Sequence, residues 1–128
     1  MNLEEVNFCL RCGSPLTSEE KSGEMRPVCP DCGWIYFPDP KVAVAVLIEN
    51  ANGVLFVQRG NNPRRGLWTL PAGFVDAGED PVLAAQREVH EETNLMVNIR
   101  DLLGVIPVRE HKEGADLLIV YRGIVNGG

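Results

Sequence analysis

The spacing of the four cysteines restricts the fold of the N-terminal part of this chain more than any other feature. They form two C-x2-C pairs, Cys9 with Cys12 and Cys29 with Cys32, separated by sixteen residues. This spacing is typical of a site in which four thiolates bind zinc in a tetrahedron. A redox or disulfide role is the alternative, but a thioredoxin-type motif needs only one pair in a βαβ setting. The pattern therefore predicts a structural Zn²⁺ with no open position for water.

The segment Phe37–Pro40 has two prolines in four residues and predicts a boundary between two domains. We therefore expect a zinc ribbon at residues 1–38 and a second domain at residues 39–128. The ribbon segment contains three basic and six acidic residues. This negative charge argues against a DNA-binding ribbon. It favours a small module that depends on the metal because its own core is too small.

The charge of the whole chain excludes further classes of function. The 128 residues include 12 Lys and Arg against 18 Asp and Glu, a formal net charge of −6. We therefore expect no nucleic acid as a partner. The longest apolar run, Val42–Ile48, is far shorter than the roughly 20 residues of a membrane-spanning helix. The acidic N-terminus is unlike a signal peptide, so we expect a cytoplasmic protein without a membrane partner.

Strand and helix signals alternate after residue 39 and predict an α/β fold. Val42–Ile48 and Val54–Gln58 are predicted strands, joined by a turn with the Asn-Gly signature of hairpins. Further strands are predicted at Leu67–Leu70, Val97–Val108 and Leu117–Val125. Asp80–Thr93 is predicted to be a helix, with Asp80 as its N-cap and Asn94 as the residue that ends it.

Three glutamates share one side of this predicted helix. Glu88 and Glu92 are four residues apart, and Glu91 follows Glu88 by three, spacings that bring side chains together on a helix. Carboxylates this close repel one another, whereas Mg²⁺ prefers carboxylate oxygens as ligands. Arg87 is placed to pair with Glu79 and brace such a site. The triplet alone is explained equally well by a divalent cation or by a solvated acidic helix face.

The residues around these acids resemble the Nudix box. Its pattern is G-x5-E-x7-R-E-U-x-E-E-x-G-U, in which U is aliphatic. Eight of the nine defined positions match within residues 73–95, and the ninth has Asn94 in place of glycine. The matching residues are Gly73, Glu79, Arg87, Glu88, Val89, Glu91, Glu92 and Leu95. Because Asn is also favoured where a helix ends, the one departure puts no metal ligand in doubt.

The resemblance implies a Nudix hydrolase. The family fold is an α/β/α sandwich with a mixed sheet, in which the box forms a loop–helix–loop; here a small zinc ribbon precedes it. Members cleave a nucleoside diphosphate linked to another group, by attack of water on a phosphorus of the pyrophosphate. Carried onto this chain, the catalytic residues would be Glu79, Arg87, Glu88, Glu91 and Glu92.

The resemblance also implies a metal site and a substrate site. Mg²⁺ or Mn²⁺ would be bound by Glu88, Glu91, Glu92 and a backbone carbonyl at Ala72 or Gly73. Glu91 would be either a ligand or the base that deprotonates water. The candidates for binding substrate phosphates are Arg59, Arg64 and Arg65.

A four-cysteine ribbon before a Nudix domain is similar to two groups. NADH pyrophosphatases carry an S-Q-P-W-x-F-P-x-S array after the box, which this chain lacks because it has no serine after Ser22. The other group resembles FAD and ADP-ribose pyrophosphatases and shares the Asp39-Pro40-Lys41 segment before the first strand. We therefore expect a small-molecule nucleoside diphosphate derivative as substrate, ADP-ribose or an FAD-like dinucleotide. NADH or NAD hydrolysis and a non-catalytic, nucleotide-sensing Nudix domain are the alternatives.

The length of the second domain also bears on its organisation. Residues 39–128 are fewer than a complete Nudix domain needs, since that domain has a further strand and a C-terminal helix. We therefore expect the domain to be C-terminally incomplete or completed by a partner chain. A homodimer is left open.

Overall fold

A computed structural model describes residues 6–60, 65–108 and 114–128 of the chain. The chain divides into two compact units, Met1–Asp39 and Pro40–Gly128, and each is described by itself. Among the residues that the structure describes, no helix is long and apolar enough to cross a membrane. Arg64, one of the three candidates for phosphate binding, lies outside the described residues.

The first unit is built on one β-hairpin. β1 (Thr17–Lys21) and β2 (Glu24–Val28) pair antiparallel over their whole length. Ser22 and Gly23 connect them with φ angles of 53° and 86°, the left-handed conformation that the favoured two-residue hairpin turn requires. The buried apolar residues described in this unit are Cys9, Val28 and Cys29. A core of this size is too small to stabilise a fold without further support.

The second unit combines a mixed sheet with one described helix. Its strands are β3 (Val42–Asn50), β4 (Gly53–Val54), β5 (Val57–Gln58), β6 (Trp68–Thr69), β7 (Ala72–Phe74), β8 (Met96–Pro107) and β9 (Leu117–Gly127), and helix α1 spans Pro81–Thr93. The main sheet has the order β4-β3-β9-β8, and β7 also pairs with β3. β3 is parallel to β9, whereas the other pairs are antiparallel. The predicted α/β fold with a mixed sheet is therefore confirmed.

β3 is the central strand of this sheet because it is apolar on both faces. Its residues from Ala43 to Val46 are all buried, as expected for a strand that is covered on both sides and reads as a continuous apolar run. The predicted hairpin is present, with Asn50 opposite Gly53. The Asn50 side-chain oxygen accepts a hydrogen bond of 2.7 Å from the Asn52 N–H, a contact that favours the turn.

Helix α1 begins and ends where its capping residues predict. The Asp80 carboxylate accepts hydrogen bonds from the backbone N–H groups of Val82, at 2.7 Å, and Leu83, at 3.4 Å. Asn94 has a left-handed φ of 61° and ends the helix. The helix packs on the sheet through a core of Ala84, Ala85 and Val89 against Val44, Val46, Ile48 and Val97.

The short strands differ from the sequence prediction, whereas the long ones agree with it to within two residues at each end. The predicted strand Val54–Gln58 is interrupted at Leu55 and Phe56, and Leu67–Leu70 is reduced to Trp68–Thr69. β1, β2 and β7 were not predicted at all: β1 and β2 are mostly exposed, and β7 has only three residues. Such strands form because a neighbouring strand supplies hydrogen-bonding partners, which local sequence does not encode.

Candidate active site

A cavity of about 600 Å³ opens between helix α1 and the strands β5, β6 and β7. Its charged lining residues are Arg59, Asp76, Arg87, Glu88 and Glu92. The loop that carries β7 is tied to the central strand, because the Val46 N–H donates to the Pro71 carbonyl and the Val75 N–H donates to the Val42 carbonyl. The cavity therefore lies where the box loop, anchored on β3, meets the helix.

Arg87 organises the carboxylates around this cavity. Its Nε and Nη2 donate to the two oxygens of Glu79 at 2.8 and 2.9 Å, the ion pair expected from the sequence. Its Nη1 donates to Glu88 at 2.8 Å and contacts Glu91 at 3.2 Å. The bidentate contact with Arg87 lowers the pKa of Glu79 to about 2. Arg87 therefore remains charged and fixes the directions of several carboxylates at once.

Glu88 occupies the space that a side chain at position 73 would need. A Cβ on Gly73 would lie 2.0 to 2.3 Å from the three atoms of the Glu88 carboxylate. Only 14% of the Glu88 side chain is exposed, and this burial raises the pKa of Glu88. Glycine at position 73 thus lets a desolvated carboxylate lie directly against the β7 backbone.

Glu92 faces the same cavity from one turn further along α1. Its Oε2 accepts a hydrogen bond of 3.4 Å from the Ala72 N–H. Desolvation of the carboxylate raises the pKa of Glu92, while the Ala72 N–H and the positive charge of Arg59 act in the opposite direction. The carboxylates of Glu88 and Glu92 are therefore both held beside the backbone of residues 72 and 73.

Glu91 and Asp76 differ in their position relative to the cavity. Glu91 contacts Arg87 and is not among the residues that line the cavity, whereas Asp76 lines it and lies 3.7 Å from Arg87. Asp76 was missed because the box pattern leaves its position undefined. Its place in the five-residue gap between Gly73 and Glu79 is the signal that could have found it.

The predicted phosphate-binding arginines are not equivalent in the structure. Arg59 lines the cavity, and its backbone is held by hydrogen bonds with Leu67 and Gly66, each of 2.8 Å. Arg65 is exposed and is not one of the described residues that line the cavity. The geometry therefore favours Arg59 over Arg65 for contact with a ligand in this cavity.

The four cysteines of the first unit lie close together. The Sγ atoms of Cys9 and Cys32 are 3.5 Å apart, as are those of Cys12 and Cys29. A zinc tetrahedron with Zn–S bonds of about 2.3 Å has S···S separations of about 3.8 Å. All four thiols are free, and hydrogen bonding to Ser14 lowers the pKa of Cys12 to about 6. This cluster fits a zinc ribbon.

The carboxylates of the second unit are less tightly grouped. Within the described ranges, the four cysteines are the one group of three or more potential ligand side chains whose donor atoms all lie within 4.8 Å of one another. Arg87 holds Glu88 and Glu91, whereas Glu92 is turned to the Ala72 N–H. The donors at the cavity are nevertheless all oxygen atoms, which are the ligands that hard divalent cations prefer.

Comparison with protein families decides the identity of the second unit. A family model described as NUDIX domain matches residues 39–127. The chain belongs to the Nudix family. Of the residues that the box resemblance singled out, Gly73, Arg87, Glu88 and Glu92 line one cavity of a Nudix domain, and Glu79 pairs with Arg87.

Two curated Nudix relatives carry different names. The ADP-ribose pyrophosphatase of Methanocaldococcus jannaschii is 47% identical over 91 residues, which are 70% of this chain and 53% of the relative. The NAD-capped RNA hydrolase NudC of Edwardsiella ictaluri is 36% identical over 94 residues, which are 73% of this chain and 35% of the relative. The aligned part is thus about half of the first relative and about a third of the second.

A solved Nudix structure resembles nearly the whole chain. The crystal structure of a NUDIX hydrolase from Nitrosomonas europaea aligns with a TM-score of 0.82 and 35% sequence identity. The alignment covers 95% of this chain and 69% of that chain. This likeness supports the Nudix fold independently of the box residues.

Proposed function

We propose that this chain is a metal-dependent Nudix pyrophosphohydrolase that cleaves the pyrophosphate bond of a nucleoside diphosphate derivative. The observation that carries the proposal is the cavity in which Glu88 and Glu92 lie against the backbone of residues 72 and 73 while Arg87 and Glu79 hold the arrangement. The preferred substrate in this proposal is ADP-ribose or an FAD-like dinucleotide. The name of the M. jannaschii relative supports this choice.

In this proposal, Glu88, Glu91, Glu92 and the carbonyl of Gly73 bind Mg²⁺ or Mn²⁺. The donor set is suitable because it consists of hard oxygens, and the missing side chain at Gly73 leaves room for Glu88 to approach the backbone. A divalent cation in this place neutralises phosphate charge and assists attack of water on phosphorus.

The other residues have supporting roles in the proposed reaction. Arg87 and Glu79 orient the carboxylates, because their bidentate contact restricts both side chains. Glu91 is either a metal ligand or the base that takes a proton from the attacking water. Arg59 binds substrate phosphate from the cavity wall, and Arg64 and Arg65 are further candidates in the adjoining loop.

We also propose that residues 1–38 form a ribbon with a structural Zn²⁺ and that residues 39–128 form the Nudix domain. The proximity of the four Sγ atoms supports a tetrahedral zinc site with ligands Cys9, Cys12, Cys29 and Cys32. Four thiolates leave no position for water, so this zinc takes no part in the hydrolysis. Its contribution is to the stability of the first unit.

The proposed partner is a small molecule in the cytoplasm. The net charge of −6 supports a protein without a nucleic-acid or membrane-surface partner. A homodimer stays a prediction, and light scattering on the purified protein can test it.

A hydrolysis panel tests the proposed function. We would assay ADP-ribose, FAD, NADH, NAD, a diadenosine polyphosphate and an NAD-capped oligonucleotide with Mg²⁺ or Mn²⁺. Glu92→Gln would be compared with wild type and with Glu49→Gln, an exposed glutamate at the end of β3. We expect ADP-ribose or FAD to be the best substrate. The Glu92→Gln change should lower turnover by about 100-fold or more, whereas Glu49→Gln should retain wild-type activity.

Other results would contradict parts of this proposal. Fastest cleavage of NADH or NAD would favour the NADH pyrophosphatase alternative, to which the NudC relative also points. No turnover of any compound by a folded protein with both metals bound would favour the nucleotide-sensing alternative.

A further inference from the structure

Arg59, which is proposed to bind substrate phosphate, lies where strand β5 leads into the segment that joins it to β6. The two strands are very short, Val57–Gln58 and Trp68–Thr69, and they pair antiparallel. Residues 57–59 and 66–69 form the neck of this segment. Arg59 and residues of both strands line the cavity. One side of the cavity therefore depends on a β ladder that has few hydrogen bonds of its own.

Additional hydrogen bonds in the neck hold the backbone of Arg59. Its N–H donates to the Leu67 carbonyl at 2.8 Å, and its carbonyl accepts a hydrogen bond of 2.8 Å from the Gly66 N–H. The Gly66 carbonyl accepts a hydrogen bond of 2.9 Å from Nε2 of Gln58. Gly66 is thus bound at its N–H by the Arg59 main chain and at its carbonyl by the Gln58 side chain.

Gly66 needs these contacts because it has no side chain of its own to restrain it. Its φ angle is 86°, in the left-handed region that glycine adopts readily. A glycine is also the residue with the greatest freedom to leave such a conformation. Loss of the Gln58 donor would therefore let Gly66 rotate and would weaken its hydrogen bond to Arg59.

The position of the Arg59 charge matters for an anionic ligand. The cavity wall carries the carboxylates of Asp76, Glu88 and Glu92, which repel phosphate groups. Desolvation raises the pKa of Glu92, and the positive charge of Arg59 acts against that rise, so the guanidinium is close enough to affect this carboxylate. A small displacement of Arg59 would reduce the attraction that offsets the repulsion.

We propose that Gln58 is a positioning residue, which holds Gly66 and thereby keeps Arg59 in place at the cavity wall to bind a substrate phosphate. This inference rests on the proposed function and adds to it the residue that supports the phosphate contact. Gln58 acts through the backbone of the neck, so its substitution should affect substrate binding more than the chemical step.

Substitution of Gln58 by methionine tests the inference. Methionine has a similar length but no N–H to donate to the Gly66 carbonyl. For the best substrate of the panel, we expect Gln58→Met to raise KM about fivefold and to leave kcat within about twofold. Gln86→Met is the matched control, because the Gln86 amide donates a hydrogen bond of 3.0 Å to the Val97 carbonyl, away from the neck. This control should keep the wild-type KM.

A double-mutant cycle shows whether Gln58 acts through Arg59. Arg59→Gln alone should raise KM about tenfold or more. In that background Gln58→Met should change KM by less than about twofold, because no guanidinium remains to be positioned. An equal increase of KM in both backgrounds would overturn the inference, since Gln58 would then act independently of Arg59. An unchanged KM in Gln58→Met, or a fall in kcat at unchanged KM, would also overturn it.

Measurements without turnover separate this inference from the proposed function. Calorimetry with ADP-ribose and Glu92→Gln protein, with and without Gln58→Met, should give a Kd about fivefold weaker for the double variant. Hydrogen exchange of the Arg59 and Gly66 amides should be faster in Gln58→Met than in wild type. These two results in a protein that hydrolyses nothing would contradict the proposed function alone. Equal Kd values or equal exchange rates would overturn the role of Gln58, even where wild type is an active enzyme.

Discussion

At the scale of single residues, Gly73 is the position where the absence of a side chain leaves room for Glu88, a proposed metal ligand. The atoms that a new Cβ would meet belong to the end of the flexible Glu88 side chain. Because that end can move, an alanine here costs little stability. The alanine side chain would instead displace the Glu88 carboxylate. A displacement of about 1 Å in an active site can reduce the catalytic rate about 100-fold.

We therefore predict that Gly73→Ala loses activity without unfolding. Its kcat should fall by about 100-fold, while its midpoint of urea unfolding should stay close to that of wild type. Gly104→Ala on β8 is the matched control, since a Cβ there would meet nothing within 4 Å. A Gly73→Ala enzyme with wild-type kcat would show that the position of Glu88 is unimportant.

Glu79 leads to a prediction about acid stability. Its pKa is about 2 in the folded chain, below the value of about 4.3 for an unperturbed glutamate. A lowered pKa gives stabilisation that is complete above the unfolded value and is lost as the pH falls through the folded one. The free energy of unfolding should therefore decrease between about pH 4.5 and pH 2.

Urea titrations at several pH values would measure this effect in wild type and Glu79→Gln. The variant should be less stable at pH 6, and the difference between the two proteins should shrink as the pH approaches 2. Curves that stay parallel over this range would contradict the role of the Arg87–Glu79 ion pair.

At the scale of secondary-structure elements, helix α1 connects the sequence pattern to the site. Its start and end follow from Asp80 and Asn94, because capping contacts involve residues only two or three positions away. Its orientation on the sheet was harder to predict. Val82, Ala85 and Val89 recur at helical spacing, yet Val82 is 37% exposed whereas Ala84 is fully buried. Which side of the helix packs against the sheet depends on the positions of β3 and β8. The periodicity of the helix sequence contains no information about those strands.

The N-cap of α1 gives a prediction at this scale. Asp80→Ala should lower the free energy of unfolding by about 1 kcal/mol, because the N–H groups of Val82 and Leu83 lose their acceptor. Asp80→Asn keeps an acceptor and should cost less. Chemical denaturation measures both values. Equal stabilities of the alanine variant and wild type would contradict this prediction, because they would mean that water satisfies the Val82 and Leu83 N–H groups as well as Asp80 does.

At the scale of the whole molecule, the two units differ in what stabilises them. The second unit has a core between α1 and the sheet, whereas the buried apolar residues described in the first unit include two of the four cysteines. Structural zinc in small domains contributes on the order of 10 kcal/mol. We therefore expect the first unit to depend on a bound Zn²⁺, whereas the second unit has an apolar core of its own.

We predict that removing zinc unfolds the first unit selectively. After treatment with a chelator, proteolysis should cut within residues 1–39, and the fluorescence of Trp34 should change. Added Zn²⁺ should reverse both effects. Cys12→Ser should behave like the chelated protein, whereas Ser18→Ala, on the exposed strand β1, is the control. An unchanged digestion pattern after complete metal removal would contradict a structural zinc.

The sequence by itself determined the features that depend on neighbours within a few turns of chain. These are the C-x2-C pairs, the caps of α1, the Asn-Gly hairpin, and the spacing of Glu79, Arg87 and the helix glutamates. Tertiary structure decided which groups meet across long separations. It paired β3 with β9 in parallel, put Asp76 into the cavity and brought Lys41 over Phe74. Local periodicity carries no record of these contacts, because each depends on how distant strands and the helix pack around one core.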